Sequence, residues 1–241
     1  YNAEKCDSLI ALGGGSNMDA AKALGALLAN PKQKLEDLRG ILKVKGKLPF
    51  LIAVPTTAGT GSEATIASVV VNEKTHDKFA INDPKLIPSV AVLDDSLLEG
   101  LPPSVVASTG MDALTHAVEA FIGSENTSYT KKEALEAIQL IHDHLLPFYE
   151  DRTRDEDRKA MQKASFLAGL AFTRAYVGYV HALAHALGGS YDRPHGYANA
   201  VLLPHVLEAY GEKATPKTET MHEKIKRYEA SGMIVGSIPD L

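Results

Sequence analysis

The stretch Ser8-Leu-Ile-Ala-Leu-Gly-Gly-Gly-Ser-Asn-Met-Asp-Ala-Ala-Lys22 reads as a strand, a tight turn and the start of a helix. Ser8 to Leu12 has the short apolar run of a buried strand, and three glycines follow where the chain must turn. Ser16 or Asn17 can cap the helix, which runs from Met18 to Leu28 and stops near Asn30-Pro31. A helix entered from a strand in this way points its free N–H groups and positive end at the turn, a setting that favours a phosphate. The letters fit neither standard phosphate motif: G-x-G-x-x-G needs glycine where Met18 stands, and a P-loop needs Gly-Lys-Ser or Gly-Lys-Thr. Alone, the turn suits a phosphate cradle or a ligand-free reversal equally.

Working outward, Phe50-Leu-Ile-Ala-Val54 is a second strand, followed by Pro55-Thr-Thr-Ala-Gly-Thr-Gly-Ser-Glu63. In an open α/β sheet that loop emerges at the same carboxyl edge as the glycine turn, where ligands bind. Thr and Ser also fill ordinary loops, but two such loops on one edge suggest a nucleotide's pyrophosphate and neighbouring ribose. Ala67 to Asn72 and Lys78 to Ile81 form a hairpin over the sheet edge, and Val90 to Leu93 is the last strand. Pro102-Pro103 marks a change, because proline fits the first helical turn and every later periodic segment is helical. The expected helices are Ser104–Ile122, Tyr129–Leu146, Asp155–Phe172, Val180–Leu187 and Ala198–Tyr210, so the chain divides into an α/β unit, 1–101, and an all-α unit, 102–241. Lys213 to Leu241 is polar and poorly periodic until Met233-Ile-Val235.

Composition excludes several classes. The 241 residues carry 45% apolar side chains, enough for a substantial core, and a net charge of -5 with no basic stripe for nucleic acid. No apolar run approaches the ~20 residues of a membrane span and no secretory signal is visible, which makes the cytoplasm the expected compartment. Cys6 is the sole cysteine and is expected to be a small packed side chain. The chain begins at Tyr1 and meets its first strand almost at once, a start that looks interior to a larger protein.

Chemistry concentrates in the helical unit. Asp112 and His116 lie four apart in Gly110-Met-Asp-Ala-Leu-Thr-His-Ala-Val-Glu-Ala-Phe121, so both project from one helical face. His181 and His185 repeat the spacing in Tyr179-Val-His-Ala-Leu-Ala-His-Ala-Leu187, and His195 follows a Gly188-Gly189 break expected to end that helix. In small, apolar helices a buried carboxylate or imidazole is costly unless it is paired or bound to a metal. One carboxylate and three imidazoles suit Fe(II) or Zn(II), and the lack of cysteine ligands removes the usual structural zinc arrangements. A buried Asp–His hydrogen bond is the alternative for the first pair, without accounting for His185 or His195. His76, His142, His144 and His222 lie in polar surroundings and receive no role, and His205 fits a core or capping position.

The blocks Gly13 to Lys22, Pro55 to Glu63, Gly110 to Glu119, Gly178-Tyr-Val-His-Ala-Leu-Ala-His-Ala-Leu-Gly-Gly189 and Pro194-His-Gly196 together resemble the iron-containing, or group III, alcohol dehydrogenases, over roughly residues 5 to 210. The resemblance implies an incomplete, dehydroquinate synthase-like dinucleotide-binding α/β domain, then an all-α metal-binding domain, with the active site in the cleft between them. It implies Asp112, His116, His181 and His195 as metal ligands and places His185 beside the nicotinamide and substrate. It further implies Gly14, Gly15, Ser16 and Asp19 at the pyrophosphate, Thr56, Thr57 and Thr60 against the cofactor, and Lys78 at the nicotinamide ribose. The expected cofactors are Fe(II), with Zn(II) the alternative, and NAD or NADP. The expected reaction interconverts a small primary alcohol and its aldehyde in a homodimer or higher homo-oligomer. A polyol dehydrogenase, a metal-dependent lyase of the same superfamily and an inactive metal-binding or assembly fragment are the rival readings. Residues that precede the glycine turn in the family, including the acidic residue that favours NAD, have no counterpart here, and the pattern fades after about Tyr210.

Overall fold

A computed structural model describes residues 1, 3–72, 75, 77–191 and 194–211. Two three-stranded sheets come first. In one, β1 (Ser8–Gly13), β3 (Phe50–Pro55) and β6 (Val90–Ala91) lie parallel in the order β1-β3-β6, with Ala11 opposite Ala53 and Ala53 opposite Ala91. In the other, β5 (Lys78–Asn82) is central, antiparallel to β4 (Ala67–Val71) and parallel to the two-residue β2 (Gly40–Ile41). Helix α1 (Gly15–Ala29) joins them by packing on β1, β3 and β4.

The expected strand–turn–helix is present, with three corrections. β1 is buried on one face only, since Ile10 is 70% and Leu12 57% exposed while Ala11 packs inward; a run of apolar letters cannot tell a strand covered on both faces from one covered by a single helix. Neither Ser16 nor Asn17 caps α1, which opens at Gly14, and the Asn17 amide instead donates back to the Leu12 carbonyl at 3.1 Å. Cys6 is exposed on the turn before β1, closed by its N–H on the Tyr1 carbonyl, and therefore does not pack. The hairpin partners pair as expected, but they build a second sheet with β2 instead of extending the first.

After Pro102, the N-cap, every regular element among the described residues is helical: α2 (Pro103–Ile122), α3 (Ser128–Glu150), α4 (Asp155–Ala175), α5 (Tyr179–Tyr191) and α6 (His195–Tyr210). α2 is the central rod, buried continuously from Gly110 to Phe121 and packed against α3, α4 and α6. Its small positions permit this, and the space a Cβ on Gly110 would need is taken by the Leu145 side chain. Leu145, Phe148 and Met161 are fully buried against it, each contributing about 1.5–3 kcal/mol of apolar burial.

Two helix ends differ from expectation. α3 continues past Pro147 to Glu150, because the following turn buries Phe148 and offsets the missing N–H. α5 runs through Gly188-Gly189 to Tyr191, and the reversal comes at Pro194, the N-cap of α6. Glycine lowers helix propensity by about 1 kcal/mol but keeps its N–H, so it does not force a stop. His205, on α6, is exposed and is not a core residue. The segment 212–241, with Met233-Ile-Val235, and the residues His76 and His222 lie outside the described residues.

Candidate metal centre and nucleotide turn

Three helices carry the cluster. α2 presents Asp112 and His116 one turn apart, α5 presents His181 near its start, and α6 opens with His195. Asp112, His116 and His181 are buried, and one ligand atom from each lies within 4.8 Å of the other two. His195 joins through the carboxylate: its Nε2 is 3.6 Å from Asp112 Oδ1, the distance also seen from His181 Nε2. The ring of His116 stacks on Phe172 at 4.1 Å and on His181 at 4.3 Å, and its Nδ1 is buried without a hydrogen-bond partner. His185 lies at the mouth, exposed, with its ring 4.6 Å from that of His195 and 6.4 Å from that of His181. The four expected ligands thus converge, and His185 flanks them.

The electrostatics suit a cation. Burial would raise the Asp112 carboxyl, but the imidazoles of His116, His195 and His181 around it hold it far below the usual carboxylate range. Burial pushes His116 down to about 3, against the attraction of Asp112, so its ring is neutral. His181 is opposed by burial yet raised to about 9 by the Asp112 carboxylate 3.6 Å away and by its hydrogen bond to Glu119. An ionised carboxylate beside the neutral, orphaned ring nitrogen of His116, with the imidazoles of His181 and His195 free to give up a proton to a metal, is a donor set that fits a divalent transition ion.

Two residues that sequence reasoning missed complete the surroundings. Glu119 accepts from the Gly178 N–H at 2.8 Å, the Val180 N–H at 2.7 Å and His181 Nδ1 at 2.6 Å, so it fixes both the start of α5 and the face that His181 turns inward. It stands seven positions after Asp112, on the same face, so helical spacing continued one turn would have found it. Asn199, four after His195, donates from Nδ2 to Asp112 Oδ1 at 2.7 Å.

The nucleotide candidates gather at the carboxyl ends of β1 and β3. Thr56 N–H donates to the Gly13 carbonyl at 3.0 Å. A Cβ on Gly15 would lie 2.6 Å from Thr60 Cγ2, so glycine is what lets the turn meet the threonine loop there, whereas a Cβ on Gly14 would make only ordinary contact with Thr57 at 3.5 Å. Ser16 is exposed at the opening of α1. Asp19 departs from expectation. Its carboxylate turns inward, accepting from Ser62 Oγ at 2.7 Å and the Val69 N–H at 3.0 Å, so it fastens the turn to the threonine loop instead of facing a phosphate. Lys78 is exposed at the start of β5, and its charge acts on Asp19, His185 and His195.

Family models match both parts of the chain: the iron-containing alcohol dehydrogenase model over residues 1–95, and the C-terminal model of the Fe-containing alcohol dehydrogenase family over residues 106–234. The chain belongs to the iron-containing alcohol dehydrogenase family. Among its relatives in that family are the 1,3-propanediol dehydrogenase of Klebsiella pneumoniae, 44% identical over 93% of this chain and 59% of the relative, and alcohol dehydrogenase 4 of Saccharomyces cerevisiae, 46% identical over 86% and 54%. The fold is the family's: a crystal structure of 1,3-propanediol oxidoreductase superposes with a TM-score of 0.89 at 40% identity, covering 97% of this chain and 66% of that one. The iron-containing alcohol dehydrogenase of Thermotoga maritima superposes with a TM-score of 0.87 at 33% identity, covering 99% and 67%. The chain therefore spans under two thirds of the length of the curated relatives it matches. Among the described residues, no helix is long and apolar enough to cross a membrane.

Proposed function

We propose that the protein containing this chain is a metal-dependent NAD(P) oxidoreductase that interconverts a small primary alcohol and its aldehyde. The convergence of α2, α5 and α6 on one buried carboxylate, with His181 and His195 each 3.6 Å from the same Asp112 oxygen, carries the reading. In it, Asp112, His116, His181 and His195 hold a divalent ion, Fe(II) in preference to Zn(II), and residues 1–101 and 102–241 act as the nucleotide-holding and metal-holding units. When bound, such an ion supplies Lewis acidity toward an alcohol or carbonyl oxygen, and the nicotinamide supplies the hydride chemistry.

The chain's own residues supply alignment. Gly14, Gly15 and Ser16 offer backbone and hydroxyl donors to a pyrophosphate at the opening of α1, while Thr56, Thr57 and Thr60 line the facing loop. Asp19 contributes by bracing the two loops. Lys78, exposed at the start of β5, is assigned to the nicotinamide ribose by family likeness. Partial loss of hydration at the mouth and the neighbouring His195 push His185 down to about 4, so at neutral pH its imidazole is uncharged and can accept a hydrogen bond from a substrate hydroxyl or pass its proton outward. A homo-oligomeric state and a cytoplasmic location belong to the same proposal and rest on family likeness.

The test is the full-length protein purified without oxygen, its metal content measured, and its oxidation of NADH and NADPH followed with a short aldehyde. We expect about one bound divalent ion per chain, turnover abolished by a chelator and restored by Fe(II), and loss of metal and turnover together in His195→Ala. Metal content and turnover both unchanged in that variant would remove His195 from the shell. Absence of any saturable NAD(P)H binding by residues 1–241 alone would favour a metal-binding fragment over an enzyme for this chain, and its absence in the full-length protein would overturn the dehydrogenase reading.

A further inference from the structure

Asn199 is fully buried, and the polar end of its side chain faces the metal candidates. Its Nδ2 donates to Asp112 Oδ1 at 2.7 Å and lies 3.3 Å from both His181 Nε2 and His195 Nε2, while its Oδ1 has no hydrogen-bond partner. Buried Asn30 behaves differently: its Nδ2 donates to the Ala26 carbonyl and its Oδ1 accepts from the Lys45 N–H, so both ends serve the backbone. Asn199 instead leaves its oxygen unsatisfied and spends its donors on the cluster, an arrangement that costs stability at a buried site.

An amide nitrogen offers N–H donors and no lone pair, so in this orientation Asn199 cannot itself coordinate a cation. It can decide how the carboxylate is held. A donor on one carboxylate oxygen restrains the rotation of the group and moderates its charge, and such supporting contacts commonly account for 10- to 100-fold in metal affinity. Placement follows from the helix: Asn199 is one turn beyond His195 on the same face of α6, and α6 is seated on α2 at Gly196, where an added Cβ would strike the Ser108 carbonyl.

We propose that Asn199 is a positioning residue of the metal centre, its amide N–H orienting Asp112 and thereby setting the affinity and coordination geometry of the bound ion. The inference rests on the metal reading above. The test loads the full-length protein with Co(II), whose visible bands report coordination geometry, and measures affinity by competition with a coloured chelator. Asn199→Ala is expected to weaken Co(II) binding by roughly 10- to 100-fold and to change the visible bands. Asn199→Asp, which keeps the shape and removes the donor, is expected not to restore the wild-type spectrum, and it carries the test if the alanine variant does not fold. A lower melting temperature with unchanged affinity and bands would assign Asn199 to packing and overturn the proposal, as would a wild-type spectrum in Asn199→Asp. Failure of the wild-type protein to bind Co(II) would instead sink the metal reading itself.

Discussion

Lys22 is among the largest fully buried side chains of the described residues, and it lies beneath the glycine turn with Glu63 and Asp19 nearby. Its ammonium donates to the Thr65 carbonyl and hydroxyl, both at 3.0 Å, and to the Ala67 carbonyl at 2.9 Å, so it pins α1 to the end of the threonine loop. Burial lowers Lys22 to about 8 and raises Glu63 to about 7, each shift partly offset by the opposite charge. Between about pH 4.5 and 7 the folded chain keeps a proton on Glu63 that the unfolded chain has released, so stability falls as pH rises. Between about pH 8 and 10.5 the folded chain has lost a Lys22 proton that the unfolded chain retains, so stability rises with pH. The difference in urea midpoint between the wild type and Glu63→Gln is therefore expected to shift against the wild type between pH 5 and 7, which isolates Glu63 from the histidines that titrate in the same range; a difference that stays constant with pH would show that Glu63 ionises normally. None of this was legible in Lys22 or Glu63 as letters, because a charged side chain reads as solvated until the packing around it is known.

At the scale of elements, the site depends on how closely α6 approaches α2. Gly196, one residue after His195, faces the Ser108 carbonyl with no room for a Cβ. Gly196→Ala should push the start of α6 away, cost about 1–3 kcal/mol and weaken metal binding, because His195 and Asn199 move with it. Chelator competition and urea midpoints measured on the same samples check this, and a destabilised variant with unchanged metal affinity would separate the helix contact from the site. Periodicity located α2 and α4 closely, because long, strongly patterned helices announce themselves. The ends of α3 and α5 were misplaced at Pro147 and Gly188-Gly189, where packing outweighed local preference. Glu119 and Asn199 were legible in principle from helical spacing, but only the fold reveals which members of a face turn toward the same point.

Across the whole molecule, the threonine loop is the joint between the sheets and the helices. Gly59 abuts Thr109 of α2, and Gly61, with a positive φ of 58°, packs against Gly169 of α4 so closely that a Cβ on either would lie 2.8 Å from the other. Just beyond, the Ile66 N–H donates to Thr173 Oγ1 of α4 at 2.9 Å. Thr173→Val keeps the shape and leaves that N–H unpaired, at a cost of about 1–3 kcal/mol. Metal content should be unchanged while the KM for NAD(P)H rises, since the loop proposed to face the nucleotide loses an anchor to the helices. A variant with an unaltered KM would show that other contacts hold the loop.

The order of strand, glycine turn, threonine loop and histidine-bearing helices was determined by local chemistry: which residues can turn, which repeat at a helical period, and which side chains can ligate a metal. The convergence of Asp112, His116, His181 and His195, the inward turn of Asp19, the burial of Lys22 and the support of Glu119 and Asn199 were decided by tertiary structure alone. Each depends on distances between residues far apart in the chain, and those distances are set by how small side chains and glycines let helices and loops pack.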